Sequence, residues 1–191
     1  MKFLSMNGVI IMLRLFVCVW VPEEFKEKIL EFQEKIMKIP IKAKFVEREN
    51  FHLTITFLGN VKEEEVNLIK NKLDLAVKNM KKFEISLSGL KVIPNESYVR
   101  VLGIKVSDNE KIVKLITAVG NLVGGDYYEN TKLTLCRIKN IKDKKLLKNF
   151  IEKNRNIEIG NFEVKNLSLV KSVITKSGPI YETIHVSSLI D

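Results

Sequence analysis

Two tripeptides, His52-Leu53-Thr54 and Lys132-Leu133-Thr134, repeat one pattern 80 residues apart: a basic side chain, a leucine, and a hydroxyl two positions after the base. Along a strand, successive side chains point to opposite faces. His52 and Thr54 therefore share one face while Leu53 enters a core, and Lys132 and Thr134 do the same around Leu133. The first segment runs F-H-L-T-I-T-F-L-G, and its alternation predicts Leu53, Ile55 and Phe57 inside with His52, Thr54 and Thr56 outside. If the two strands turn their polar faces toward each other, a cleft forms that holds one imidazole, one ammonium and two hydroxyls. An imidazole exchanges protons near neutral pH. A lysine ammonium starts near pKa 10.4 and is charged. Such a set suits an anionic substrate whose reaction moves protons.

The elements that must position these residues follow from periodicity. Leu13 to Val21 reads as a buried strand, with Trp20 in its core. Pro22-Glu23-Glu24 then opens a helix carrying Phe25, Ile29, Phe32 and Ile36 on one stripe. Pro40 ends that helix, and Lys42 to Val46 can pair as a strand ahead of the histidine segment. Gly59-Asn60 leads into a second helix, from Lys62 to about Met80, with Val66, Ile69, Leu73, Val77 and Met80 in register and three glutamates at its positive N-terminus. Two strands fill Phe83 to Val106. Ser107 and Glu110 have capping-box spacing for a third helix, which Gly124-Gly125 closes. A strand at Lys132 to Ile138, a helix at about Asp143 to Lys153, and strands around Phe162 to Ile174 and Ile180 to Ser187 complete the chain, the last two joined through Ser177-Gly178-Pro179. Helices thus cover one side of antiparallel sheets, an α+β arrangement in two lobes.

Composition sets the remaining bounds. With 191 residues, 46% of them apolar, the chain buries a core without staples. Its 32 Lys and Arg against 23 Asp and Glu give a formal charge of +9, which favours polyanionic partners. Cys18 and Cys136 are too few for a disulfide framework and lack zinc-site spacing; both read as buried packing in a reducing cytoplasm. Arg14 interrupts the apolar N-terminal run, and the uncharged piece before it is shorter than a membrane span, so no membrane association is expected. Residues 1–11 read as an extension preceding a single bilobal domain at 12–191.

H-L-T-I-T-F-L-G resembles the first signature of the two-histidine phosphoesterases, in particular the archaeal and bacterial RNA 2′,3′-cyclic phosphodiesterases once named 2′-5′ RNA ligases. R-L-F-V-C-V-W-V-P-E-E is similar to that family's opening strand and helix, T-K-L-T-L-C-R-I-K to its second signature, and S-G-P-I-Y to its closing turn. The resemblance covers nearly the whole chain from Leu13. It implies a bilobal α+β fold with a pseudo-two-fold axis, two antiparallel sheets with outer helices around a central groove, and an active site in that groove. It further implies acid–base hydrolysis of a 2′,3′-cyclic phosphate to a 2′-phosphate, with no metal or cofactor, and reversible 2′-5′ ligation by the same chemistry. On this match His52 is the proton donor, and Thr54 and Thr134 are phosphate-oxygen ligands. Arg137 stands where the family carries an arginine. Strict alternation places it on the Leu133 face, so it reaches the groove only through a bulge or at the strand's end. Lys171 and Ser172 are similar to the penultimate strand. The implied partners are RNA ends, tRNA fragments among them, met by a cytoplasmic monomer.

The departure is Lys132, which occupies the position of the family's second histidine. A charged lysine cannot accept a proton, which leaves two rescues. Burial beside other cations can lower its pKa, or it can stay charged and stabilise phosphoryl oxygens while His52 alone handles protons. Losing one acid or base typically costs about 10²- to 10⁴-fold in rate, so the competing reading is a weakly active or inactive protein that binds RNA ends or nucleotides. His185 is in phase with Tyr181 and Thr183 and substitutes only if its strand borders the groove. Tyr127 and Tyr128 offer stacking surfaces for bases.

Overall fold

The structure, a computed structural model, describes residues 2–5, 8–106, 110–128, 130–176 and 178–191. Ser107 of the expected capping box and Ser177 of the expected turn lie outside the described residues. The elements in chain order are β1 (Lys2–Ser5), β2 (Gly8–Trp20), α1 (Glu23–Met37), β3 (Ile41–Phe45), β4 (His52–Lys62), α2 (Val66–Val77), β5 (Phe83–Asn95), β6 (Tyr98–Val106), α3 (Glu110–Val123), β7 (Lys132–Ile141), α4 (Lys144–Lys153), β8 (Glu158–Val164), β9 (Asn166–Ile174) and β10 (Pro179–Ser188).

The helices form where the apolar stripes lie. Pro22 precedes the first turn of α1, where its missing N–H is no loss, and Ile29, Phe32 and Ile36 are buried. A single 3-10 turn at Glu63–Glu65 leads into α2, which buries Val66, Ile69, Leu73 and Val77. Asp143 caps α4, its carboxylate accepting from the Leu146 N–H at 2.9 Å.

The strands form one curled antiparallel sheet in the order β10-β9-β2-β4-β7-β6-β5-β8, with β1 paired to β2 and β3 to β7. Its ten strands fall into two five-stranded halves, and β4 and β7 pair across the boundary between them at Leu53 and Leu133. Below the sheet one continuous apolar core runs through both halves. The helices exchange halves. The α1 helix, from the first repeat, packs on β7 and β8, and its Phe32 ring meets Phe150 of α4 at 5.8 Å. The α3 helix, from the second repeat, packs on β4 and α2.

The stretch from Phe162 to Ile174, expected as one strand, is two. Residues 158–164 pair with β5 at the far edge of one half. Residues 166–174 pair with β2 in the other half. The apolar phase slips at the break, from Phe162 and Val164 to Leu167 and Leu169 across the exposed Lys165-Asn166 pair, and the pairing partner changes there. The first strand also starts earlier than expected, at Gly8, and its first residues pair with β1 as a hairpin.

Leu53 and Leu133 are both fully buried, and truncating either opens a cavity under the strand pair that joins the halves. Leu53→Ala is expected to cost about 2–5 kcal/mol of unfolding free energy, read by urea denaturation. A loss below about 1 kcal/mol would show that the crossing is not a structural constraint.

Candidate active site

At the crossing, β4 and β7 run antiparallel with Leu53 facing Leu133. That register sets His52 against Thr134 and Thr54 against Lys132. Side chains so opposed have Cβ atoms about 4.5–5.5 Å apart. The two motifs therefore meet head to tail about a pseudo-dyad through the leucine pair. Beyond the crossing the strands part, and the Thr131 hydroxyl satisfies the Thr54 carbonyl at 2.7 Å.

Both strands then change phase at the same point. β2 pairs Cys18 with Thr54 and Val17 with Thr56, leaving Ile55 as an extra residue. β6 pairs Gly103 with Thr134 and Leu102 with Cys136, leaving Leu135 extra. A bulge reverses which face the following residues occupy. Thr56, expected beside His52 and Thr54, is instead fully buried and donates to the Gly124 carbonyl at 2.9 Å. Phe57, expected inside, turns to the groove. In the second strand the same shift buries Cys136 and brings Arg137 to the groove, by the bulge its role required. The β7 bulge is held from below by Gln33 of α1, which is 1% exposed and whose Nε2 donates to the carbonyls of Leu135 at 2.9 Å and Val46 at 3.0 Å.

The groove is a cavity of about 440 Å³. His52 and Thr54 of β4 and Thr134 and Arg137 of β7 form its floor. Arg14, Phe16, Ser172 and Tyr181 form one wall, and the segment from Lys44 to Glu47 with Thr175, Gly178 and Pro179 the other. Lys132 shares the Thr134 face and is half-buried, but it stands outside the walls of the cavity itself. Its pKa is lowered, first by burial and then by the charges of Arg137 and Lys91.

His52 sits in an aromatic box. Phe16, Tyr181 and Trp20 have ring centroids 5.1, 5.5 and 5.6 Å from the imidazole. Trp20 is thus a groove-face residue rather than a core one, half-buried, with its Nε1 donating to Thr183 Oγ1 at 3.2 Å. Nδ1 of His52 lies 2.6 Å from the Asn50 carbonyl; because a carbonyl only accepts, the proton is on Nδ1 and the Nε2 lone pair is free. Burial lowers the His52 pKa, the Asn50 bond opposes this, and Arg137 adds to it. The imidazole is therefore neutral over a wider pH range than in solution.

Other expected residues fall elsewhere. A second irregularity in β10, between Thr183 and His185, turns His185 out of phase, and its Nε2 lies 2.8 Å from Asp74 of α2. It cannot replace the second histidine. Ser172 lines the groove, whereas Lys171 pairs with Glu182 at 3.3 Å. Tyr127 bonds to Asn121 and Tyr128 is 78% exposed; neither lines the cavity. Both cysteines are buried, and desolvation raises both thiols, Cys136 to about 12, so neither is a nucleophile near neutrality. Among the described residues no three His, Cys, Asp or Glu side chains are grouped to hold a metal ion, and no helix is long and apolar enough to cross a membrane.

Among the groove residues whose place sequence reasoning missed are Tyr181 and Arg14. Tyr181 was visible only as the end of S-G-P-I-Y and as a phase partner of His185. Arg14 was visible only as the charge breaking an apolar run; its guanidinium lies 4.9 Å from the centre of the Phe57 ring, a cation–π arrangement.

The model of the LigT-like phosphoesterase family matches residues 19–102. The chain is 38% identical over 177 residues to the RNA 2′,3′-cyclic phosphodiesterase of Methanocaldococcus jannaschii, covering 90% of this chain and 98% of that one. It is 36% identical over 170 residues to that of Aquifex aeolicus, covering 83% and 89%. Among solved structures, TT0787 of Thermus thermophilus superposes with a TM-score of 0.76 at 25% identity, covering 92% and 97%. Escherichia coli LigT complexed with 3′-AMP superposes at 0.75 and 18% identity, covering 94% and 99%, a likeness of fold.

Two outcomes are expected from this geometry. Removing the neighbouring cation in Arg137→Leu raises the His52 titration midpoint toward 6.5, followed by the imidazole proton shift in NMR; an unchanged or lower midpoint contradicts the arrangement. Gln33→Leu leaves the Val46 carbonyl without its Gln33 donor and takes one of two donors from Leu135, costing about 1–3 kcal/mol of stability, and weakens inorganic phosphate binding because Arg137 loses its support. A stability loss with unaltered phosphate affinity refutes the positioning role.

Proposed function

Because the chain belongs to the LigT-like phosphoesterase family, we propose that it hydrolyses the 2′,3′-cyclic phosphate at RNA ends to a 2′-phosphate, with His52 and Lys132 as the proton-transfer pair. The observation that carries this reading is the head-to-tail meeting of the two motifs at Leu53 and Leu133. It places an imidazole and an ammonium on opposite sides of a pseudo-dyad, and an in-line displacement at phosphorus needs its base and its acid on opposite sides. The relatives' names support the substrate class.

The resemblance gave His52 the donor's part, but its lowered pKa and free Nε2 favour the acceptor's. Neutral His52 takes a proton from water as the water oxygen bonds to phosphorus. The bond from phosphorus to O3′ breaks, and Lys132 passes its proton to the departing oxygen. The product is a 2′-phosphomonoester with a free 3′-hydroxyl. The proton on His52 leaves to solvent, and the lysine recovers one from solvent. A lowered ammonium pKa makes Lys132 a better donor, while the bound anion keeps the proton in place until charge develops on O3′. Thr54 and Thr134 donate to the phosphoryl oxygens, and the Arg137 guanidinium offsets their negative charge. An RNA hydroxyl in place of water runs the same steps toward a 2′-5′ bond. Two buried free thiols fit work in a reducing cytoplasm.

A second reading has one observation in its favour. Lys132 stands outside the cavity walls, which fits a protein that binds RNA ends and turns over slowly.

The two are separated with a cyclic-phosphate-ended oligonucleotide in EDTA. In the enzyme reading, His52→Ala loses about 10²- to 10⁴-fold in kcat/KM. The pH profile is a bell: its acid limb has a midpoint below 6.5, because protonating His52 removes the base, and its alkaline limb has one below 10.5, because deprotonating Lys132 removes the acid. Lys132→His moves the alkaline limb down toward the imidazole range. In the binder reading the wild type is inert and Lys132→His gains turnover. Wild-type rates in His52→Ala would refute both.

A further inference from the structure

The groove face of the second half-sheet carries two cations, Lys91 and Lys105, that transfer no proton and hold no reacting oxygen in the proposed reaction. In register, Lys105 of β6 stands directly opposite Lys132 of β7. Lys91 of β5 stands opposite Gly103, which in turn faces Thr134. These positions alternate with the buried Leu90, Ile104 and Leu133, so their side chains share the face that holds Thr134 and Arg137. Lys132 lies within electrostatic reach of both Lys91 and Arg137. The Lys105 side chain extends over β5, where its Cδ comes within 3.3 Å of the space a Cβ on Gly89 would fill.

Like charges facing each other across antiparallel strands are destabilising. Elsewhere in this chain lysines on neighbouring surfaces are paired, as Lys82 is with Asp191, Lys165 with Glu163 and Lys171 with Glu182. Among the described residues, none of Lys91, Lys105, Lys132 and Arg137 has a carboxylate partner. Between them the floor is bare: a Cβ at Gly103 would come within 2.5 Å of the Leu133 carbonyl, so no side chain can rise there. The result is an uncompensated cationic trough that starts at the proposed acid and leads away over β6 and β5.

We infer that this trough is the track for the RNA strand upstream of its 3′ end, with Lys105 and Lys91 each holding one backbone phosphate 5′ to the reacting nucleotide. The inference rests on the reading that the groove takes a nucleotide carrying a terminal phosphate. Adjacent strands lie about 4.8 Å apart, so β7 to β5 spans about 10 Å, room for about two phosphates of a single strand. The occupant is single-stranded RNA, because an uninterrupted cationic floor with no hydrogen-bonding code follows the backbone and ignores sequence.

The test uses product-ended ligands, which are not turned over: uridine 2′-phosphate, and a pentauridylate ending in a 2′-phosphate. Affinity is measured by calorimetry at 50 and 200 mM salt for the wild type and for Lys91→Gln/Lys105→Gln. Two extra contacts steepen the salt slope of the pentamer by about 1.4 relative to the mononucleotide, an additional affinity loss of about sevenfold over that salt range. In the double variant the excess disappears, while mononucleotide affinity stays within about twofold of wild type. If the pentamer and the mononucleotide show the same slope in the wild type, or the variant weakens both alike, the track is wrong and the groove reading stands. If uridine 2′-phosphate does not bind at all, the groove reading fails and the track falls with it.

Discussion

Leu53 and Leu133 meet where β4 crosses β7, and neither touches water. Each leucine is the middle residue of its tripeptide, and their contact across 80 residues of chain fixes long-range geometry. One pair of leucines sets the register of two strands, and the register decides which hydroxyl lies beside which base. Because the two strands are antiparallel, the arrangement has near-two-fold symmetry without any identity between His52 and Lys132. Strands β2 and β6 flank the seam, pairing Val19 with Leu53 and Ile104 with Leu133, while the outer strands add width to each half.

Symmetry of backbone then meets asymmetry of composition. The first half surrounds its base with Phe16, Trp20 and Tyr181, so the imidazole loses hydration and stays neutral. The second half surrounds its base with Arg137 and Lys91, so the ammonium is pressed by like charge. Both environments lower a pKa, but by different physics, dehydration in one case and dehydration reinforced by repulsion in the other. A symmetric frame thereby yields one side disposed to accept a proton and one disposed to give it.

The tripeptide faces were legible because two-residue periodicity holds over three residues whatever follows. Helix positions were legible for a similar reason: stripes such as Val66, Ile69, Leu73 and Val77 commit a segment regardless of its partners. What failed was phase beyond the motifs. Ile55 and Leu135 look like ordinary strand residues, and nothing in their type announces that the neighbouring strand skips them. Hence Thr56 was assigned to the wrong face. His185 was lost through the same mechanism in β10. The division between β8 and β9 left one local mark, a one-residue slip of the apolar phase at Lys165-Asn166, which was passed over because both sides read as strand. Gln33 could not be read at all: one polar residue on a buried helical stripe becomes meaningful only when the carbonyls it satisfies are known.

The exchange of helices between the halves carries an implication for the ancestry of the molecule. A protein of one repeat would send its first helix away from its own sheet, leaving that sheet with α2 alone and the helix with nothing to cover. Two copies trading that helix would complete each other. A duplicated chain with this topology has the connectivity of a fused, swapped dimer, with its groove on the boundary between the two halves. Joining the copies freed each to change separately, so a histidine on one side no longer obliges a histidine on the other.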